Sequence, residues 1–332
     1  MARILLTHTP DMLRNYYGSR ALAALRELGD VRLNPGGVLD THALIETAAG
    51  CDIVVSDRQT PGEARFFEHA RDVVAFLRVA VDIRNIDVAA ASEQGVLVTR
   101  ATPGFIASVA EMAVGFMVDL ARGIPEAIAE YRAGREPAAR MGRQLKGSTL
   151  GIMGYGAIGQ YLASLGTALG MAVLVSDPYK TVSDPALRQV PLETLLAESD
   201  FVVCLVGANE ETESLVNVAA FARMKSSAYF INLSRGNLVD EAALERALDE
   251  RWIAGAAMDV GRALDQKPST HLARRPDVVA TPHVAGLTPE AIEHQAFDTV
   301  NQVRELLAGR VPRGAVNIQA ATRLIRLRGA TP

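Results

Sequence analysis

Three clusters combine residue types and spacings that can do chemistry. Gly154, Gly156 and Gly159 stand in the run GYGAIG, the spacing G-x-G-x-x-G, and Asp177 follows 18 positions after the last of them. Arg235 lies in Asn232-Leu233-Ser234-Arg235-Gly236, and His283 in Thr281-Pro282-His283-Val284-Ala285-Gly286. A glycine run of this kind brings backbone N–H groups around a phosphate. An arginine grips a carboxylate through two parallel N–H donors, and a histidine exchanges protons near neutral pH.

Each cluster needs an element to hold it. Thr149–Met153 is an apolar run suited to a strand, the glycines form a turn, a helical stretch runs to Leu169, and Ala172–Ser176 is a second strand ending at Asp177. Gly154 permits the tight turn, Gly156 the approach of a pyrophosphate, and Gly159 close packing of helix on strand. Ala157 and Ile158 open the helix, whose unpaired N–H groups and positive dipole end favour phosphate. Asp177 is placed to accept hydrogen bonds from a ribose. Alone the glycine spacing often marks only a flexible loop; with strand, helix, second strand and acid in register it reads as dinucleotide binding.

Beyond Asp177 the chain alternates. Strands are expected at Phe201–Val206, Tyr229–Leu233, Gly255–Val260 and Val278–Thr281, and helices at Ala219–Met224 and Glu241–Glu250. Such alternation predicts a parallel, doubly wound sheet, whose ligands bind at the carboxyl ends of its strands. Arg235, Asp259 and His283 all fall there. The plainer alternatives are an Arg235 that caps its loop or pairs with Asp240, and a His283 that is a satisfied buried side chain. His8, His42, His69, His271 and His294 read as surface or structural residues. No Cys/His cluster has metal-ligand spacing, so no metal is expected.

Residues 3–99 form another alternation: strands at Arg3–Thr7, Cys51–Ser56, Val73–Ala80 and Val96–Thr99, helices at Ser19–Leu28 and Ile86–Gln94. No glycine fingerprint occurs among them. Thr102-Pro103-Gly104 breaks the pattern. Ile106–Arg122 then reads as a long helix apolar on nearly every side, which must be covered all round; a second subunit is the expected cover. A helix from about Pro289 carries the chain back to the first domain. The 332 residues allow about two domains at ~100–200 residues each. Composition, 49% apolar and 22% charged, is that of a globular protein, and a net charge of −4 argues against a nucleic-acid partner. The uncharged run 147–176 is long enough for a membrane span, but its glycines and strand–turn–helix–strand reading mark a soluble unit. The first residues, MARILLTHTPD, turn polar too soon for a signal peptide. Cys51 and Cys204 lie in apolar strand-like runs and read as buried free thiols of a reducing cytoplasm.

The ordered motifs GYGAIGQ, SDP, NLSRGNLVDEAAL, GAAMDV and TPHVAG resemble those of the NAD-dependent D-2-hydroxyacid dehydrogenases, a family that includes phosphoglycerate, glyoxylate, D-lactate, formate and phosphite dehydrogenases. The likeness runs from about Val79 to Gly286. It implies an α/β fold of two Rossmann-like doubly wound domains, with a coenzyme domain (100–287) inserted into a split, flavodoxin-like substrate domain (1–99 and 288–332), and a homodimer. By position Arg235 matches the family's carboxylate-binding arginine and His283 its proton-transferring histidine. Asp177 matches the ribose acid, and Asp259 the acid near the nicotinamide carboxamide. Ser234 falls beside the same cofactor.

Departures from the family accompany these matches. The family writes D-V-F-x-x-E-P after the Asp259 strand, its Glu pairing with the histidine. Here Gly261-Arg262-Ala263-Leu264-Asp265-Gln266-Lys267-Pro268 follows Val260, and counting puts Leu264 at that position. Asp265, the nearest carboxylate, is the expected partner of His283, with Gln266 as a neutral substitute. The family's glycine-rich substrate loop becomes Arg78–Asp87, with Val81 and Arg84 as substrate-side candidates. Arg84 either pairs with Asp82 or Asp87 and stiffens the loop, or meets a second polar group of the substrate; the latter would favour oxaloacetate-, 2-oxoglutarate- or hydroxypyruvate-like acids. Leu205 and Gly207 replace a commoner His and Pro over the cofactor. The resulting expectation is a cytoplasmic NAD-dependent dehydrogenase that interconverts a small D-2-hydroxy acid and its 2-oxo acid. The alternatives are oxidation of a formate- or phosphite-like anion, and a non-catalytic NAD(H)-sensing corepressor, which would be expected to lack the histidine or the arginine.

Overall fold

The computed structural model describes residues 1–34 and 36–328, with nothing beyond the backbone for Arg328. The chain divides into two compact units, residues 1–104 with the segment from Thr288, and Phe105–Leu287.

The first unit carries five strands: β1 Ala2–Leu6, β2 Gly29–Leu33, β3 Ile53–Ser56, β4 Ala75–Arg78 and β5 Leu97–Arg100. All pair in parallel in the order β2-β1-β3-β4-β5. That is the flavodoxin-like order, as expected. Parallel strands covered on both faces read as continuous apolar runs, and β3 and β4 are buried throughout. Alternate residues divide between two cores. Leu5, Val54, Phe76 and Val98 enter one; Ile4, Leu6, Ile53, Leu77 and Leu97 enter the other. The helix Pro289–Leu307 fills the second with Ala296, Val300, Val303 and Leu306.

The other unit holds β6 Thr149–Met153, β7 Ala172–Ser176, β8 Leu187–Gln189, β9 Phe201–Cys204, β10 Tyr229–Asn232, β11 Gly255–Met258 and β12 Val278–Ala280. They form one parallel sheet ordered β12-β11-β10-β9-β6-β7-β8, the doubly wound order in which the chain reverses direction across β6 and β9. The helix Ile106–Arg122 buries Val109, Ala113, Phe116, Met117 and Leu120 in a core with Leu150, Ile152, Val203 and Ile231 of this same sheet. This sheet covers part of the helix, while Met112, Val114 and Val118 stay half-buried in the single chain. Cys51 and Cys204 are free and buried. Burial pushes the Cys204 thiol up to about 12. No helix among the described residues is long and apolar enough to cross a membrane.

Candidate active site

The residues singled out in the second unit gather at the carboxyl end of its sheet, where backbone bonds run one residue past each strand. Gly154 N–H donates to Ser176 O, Leu205 N–H to Met153 O, Asp259 N–H to Asn232 O and Thr281 N–H to Met258 O. Each loop therefore leaves a fixed point.

After β6, Gly154 has φ +94°, and a Cβ there would lie 2.8 Å from Leu205 O, so any side chain is excluded twice over. A Cβ on Gly159 would overlap the carbonyl of Gly154, which is what close helix–strand packing amounts to here. Gly156 differs, because a Cβ would meet nothing within 4 Å. Its lack of a side chain leaves space outside the protein's own packing, as a pyrophosphate needs. Gly156 is also the N-cap of the helix Ala157–Ala168, with no side chain capping it. The first-turn N–H groups, those of Ala157 and Ile158 included, remain for an anion. Asp177 ends β7 and organises the loop: its carboxylate accepts from Tyr155 N (2.7 Å), Tyr179 N (2.8 Å) and Lys180 N (3.1 Å). These features fit a dinucleotide.

After β10, Asn232 is fully buried and clamps the arginine loop. Its Nδ2 donates to Arg235 O (3.0 Å) and its Oδ1 accepts from Ser234 N (3.1 Å). Ser234 Oγ donates to Val206 O, tying this loop to the one after β9. The Arg235 guanidinium is half-buried, with one NH group donating to Ser234 O (2.8 Å). A Cβ on Gly236 would overlap the Gly261 backbone, so the arginine loop sits directly on the loop after β11.

Asp259 is only 1% exposed. Its Oδ1 accepts from Thr281 Oγ1 (2.6 Å) and Val284 N (2.8 Å), and its Oδ2 from Ala285 N (2.8 Å). These bonds clamp the histidine segment. His283 itself has φ +62°, and its Nδ1 lies 2.9 Å from the main-chain carbonyl of Asp265. A carbonyl only accepts, so Nδ1 carries the hydrogen and Nε2 is the nitrogen left for proton exchange. The Asp265 carboxylate, expected against the histidine, points elsewhere: its side chain is 70% exposed and lies 3.9 Å from Lys267 Nζ. Gln266 does not supply a partner either; its buried Oε1 has none.

In the first unit, Val81 is half-buried, and Arg84 forms a two-point ion pair with Asp82, NH2 to Oδ2 at 2.6 Å, with its side chain 75% exposed. Arg84 therefore takes the loop-stiffening alternative. Sequence reasoning passed over the first unit's buried polar cluster. Arg78, fully buried, donates to Asp57 O, Thr60 O (2.9 Å) and Asn85 Oδ1 (2.8 Å). The carboxylate of Asp57 accepts from Thr7 Oγ1 (2.6 Å) and Thr60 Oγ1. Burial drives His8 down to about 4, against the pull of the Asp57 carboxylate and with help from the Arg78 cation. A charged residue in the midst of an apolar strand run, as in AFLRVA, was the available signal. The role of Asn232 as a loop clamp was missed as well, although an Asn ending an apolar strand signals a buried polar group in need of partners.

A doubly wound parallel sheet with a glycine loop after β6, an arginine after β10 and a histidine after β12 defines a dinucleotide-binding domain. Residues 114–285 match the model of the D-isomer specific 2-hydroxyacid dehydrogenase, NAD binding domain. The chain belongs to that family, and its coenzyme is NAD. It is 35% identical over 283 residues to a glyoxylate reductase of Korarchaeum cryptofilum, covering 82% of this chain and 85% of that protein. It is 31% identical over 328 residues to a D-3-phosphoglycerate dehydrogenase of Synechocystis, covering 97% of this chain but only 57% of the relative. The chain thus spans little more than half the length of such relatives. Among solved structures it resembles the NAD-complexed D-isomer specific 2-hydroxyacid dehydrogenase of Lactobacillus delbrueckii ssp. bulgaricus, with a TM-score of 0.81 at 25% identity, over 96% of this chain and all of that one.

Proposed function

We propose that the chain catalyses the NAD-dependent interconversion of a small D-2-hydroxy acid and its 2-oxo acid. The observation that carries this reading is that Arg235, a histidine of fixed tautomer and an uncapped helix N-terminus all follow carboxyl ends of strands in one parallel sheet. NADH, when bound, supplies the hydride for C2. Arg235 holds the substrate carboxylate through its planar fork and polarises the C2 oxygen. His283 gives the proton from Nε2 to that oxygen in reduction and takes it back in oxidation. Asn232 and Asp259 keep the two groups at their stations, and Gly154, Gly156, Gly159 and Asp177 hold the coenzyme, with Ser234 fixing the loop beside it.

The relatives that act on glyoxylate and 3-phosphoglycerate support a short 2-oxo acid as substrate. The Arg84–Asp82 pair supports the loop-stiffening alternative over a contact with a second anionic group. We assign the role of coenzyme domain to residues 105–287 and that of substrate domain to the unit formed from both chain ends. Assembly as a homodimer is supported by the exposed apolar side chains Tyr131 and Met141 of the second unit, and light scattering tests it. The decisive assay presents a panel of 2-oxo acids with NADH and follows nicotinamide absorbance. Turnover of none of them, with NADH bound, would refute the reading.

A further inference from the structure

Resting on the proton-transfer role proposed for His283, we infer that Asp265 positions this histidine through its backbone and not through its carboxylate. Asp265 has φ 59° and ψ 23°, Gln266 has φ 56° and His283 has φ 62°. Five non-glycine residues have positive φ among those described, and three of them meet at this one contact. Side chains avoid this conformation, and it persists where surrounding structure imposes it.

The imposition is visible. After β11 the chain doubles back: Gly261 N–H donates to Gln266 O (2.9 Å) and Ala263 N–H to Lys267 O (3.1 Å). Only a glycine allows this closure, because a Cβ at Gly261 would lie 2.6 Å from Pro268 Cα and 2.8 Å from Lys267 O. The small hairpin turns Asp265 and Gln266 at its tip through the left-handed region and presents the Asp265 carbonyl to His283 Nδ1 at 2.9 Å. The carboxylate is left in solvent. Opposite, Asp259 grips Thr281, Val284 and Ala285 and fixes the histidine's own backbone.

A carbonyl and a carboxylate both hold Nδ1–H, but they differ in one respect. The carboxylate adds a charge that favours imidazolium, and the carbonyl adds none. Aspartate at 265 is thus accounted for by conformation: Asp and Asn enter the left-handed region more readily than other side chains, and β-branched residues least. Counting along the sequence for a carboxylate fails because the excursion places a peptide group where the count seeks a side chain.

The test compares Asp265→Gly, Asp265→Asn and Asp265→Val in the full chain. Its first readout is the ring spectrum of His283 in protein labelled with 15N-histidine, assigned through His283→Gln, with no substrate present. The inference expects the Nδ1–H tautomer and superimposable ring titrations in wild type, Gly and Asn, and a mixture of tautomers in Val. The second readout is turnover of the best 2-oxo acid with NADH. Val should have a kcat about tenfold or more below that of Gly, with KM changing far less. A ring titration displaced to lower pH in Asp265→Asn would show that the carboxylate is the partner and overturn the inference, as would Val matching Gly in spectrum and kcat. If Val does not fold, the Asn titration decides alone. If no 2-oxo acid is turned over, the functional reading fails while the ring spectra still decide this one.

Discussion

Replacing Asp259 is the sharpest probe of the site's construction. Its carboxylate takes three hydrogen bonds from the segment carrying His283, from Thr281 Oγ1 at 2.6 Å and from Val284 N and Ala285 N at 2.8 Å each. In Asp259→Asn the amide oxygen can stay at the Oδ1 position and keep the Thr281 and Val284 bonds. The amide nitrogen then faces Ala285 N–H, donor against donor. Flipping the amide only moves the conflict to Val284 N–H. One charge-assisted bond is lost and one buried N–H is left unpaired, which costs about 2–3 kcal/mol. Asp259→Ala leaves both N–H groups unpaired while the Thr281 hydroxyl can turn away, for about 3–5 kcal/mol. Trp252, the single tryptophan, packs against the core of this unit, so its fluorescence in urea reports the unit directly. Amide exchange at Val284 and Ala285 should quicken in both variants, and kcat should fall more than NAD affinity. A loss under about 1 kcal/mol for Asp259→Ala, or unchanged exchange at Ala285, would refute the clamp.

Other outcomes are equally definite. The carboxylate of Asp177 opposes a 2′-phosphate, so kcat/KM should favour NADH over NADPH by about tenfold or more, a difference of about 1.4 kcal/mol; equal efficiency would dismiss that role. Arg235→Lys keeps the charge but loses the planar fork. It should lower kcat/KM about a hundredfold in the 2-oxo acid assay while NADH binding by fluorescence titration stays put. His8 is held near 4 in the folded chain against an ordinary 6.5, so between these values the unfolded chain binds the extra proton. Its contribution is therefore present above pH 6.5 and lost as pH falls toward 4, up to about 3 kcal/mol. His8→Phe, which retains a ring beside Tyr17, should flatten the urea-stability profile in that window; an unchanged slope would acquit His8.

Much of this was legible because it is local. A glycine loop between two apolar strands names its own geometry, and Arg235 and His283 stand at strand ends that any doubly wound sheet turns toward a ligand. Two strands escaped notice for a single reason. β2 and β8 each form one edge of their sheets and, less buried than the central strands, carry Asp30, Arg32, Arg188 and Gln189 instead of an apolar run. The helix Ile106–Arg122 was legible as buried, but apolar residues do not say what covers them; its own sheet covers Val109, Ala113, Phe116, Met117 and Leu120. The partner of His283 was beyond reach, since a main-chain carbonyl leaves no trace in residue type. Of the first unit's buried ions Arg78 left a trace in its apolar run, but Asp57 looks like a surface charge until Thr7 and Thr60 are seen to satisfy it.

The split of the first unit bears on how a ribosome must make this protein. Ala296, Val300, Val303 and Leu306 complete a core whose strand residues begin at Ile4, so that core stays open until Leu306 has been synthesised. The second unit, continuous from Phe105 to Leu287, has all its strands and both its cores in hand earlier. Vectorial synthesis therefore matures the middle of the molecule before its beginning, against the usual N-to-C order of domain folding. In nascent chains arrested once Leu287 has cleared the ribosome, protease should spare the inserted unit and digest the residues that precede it.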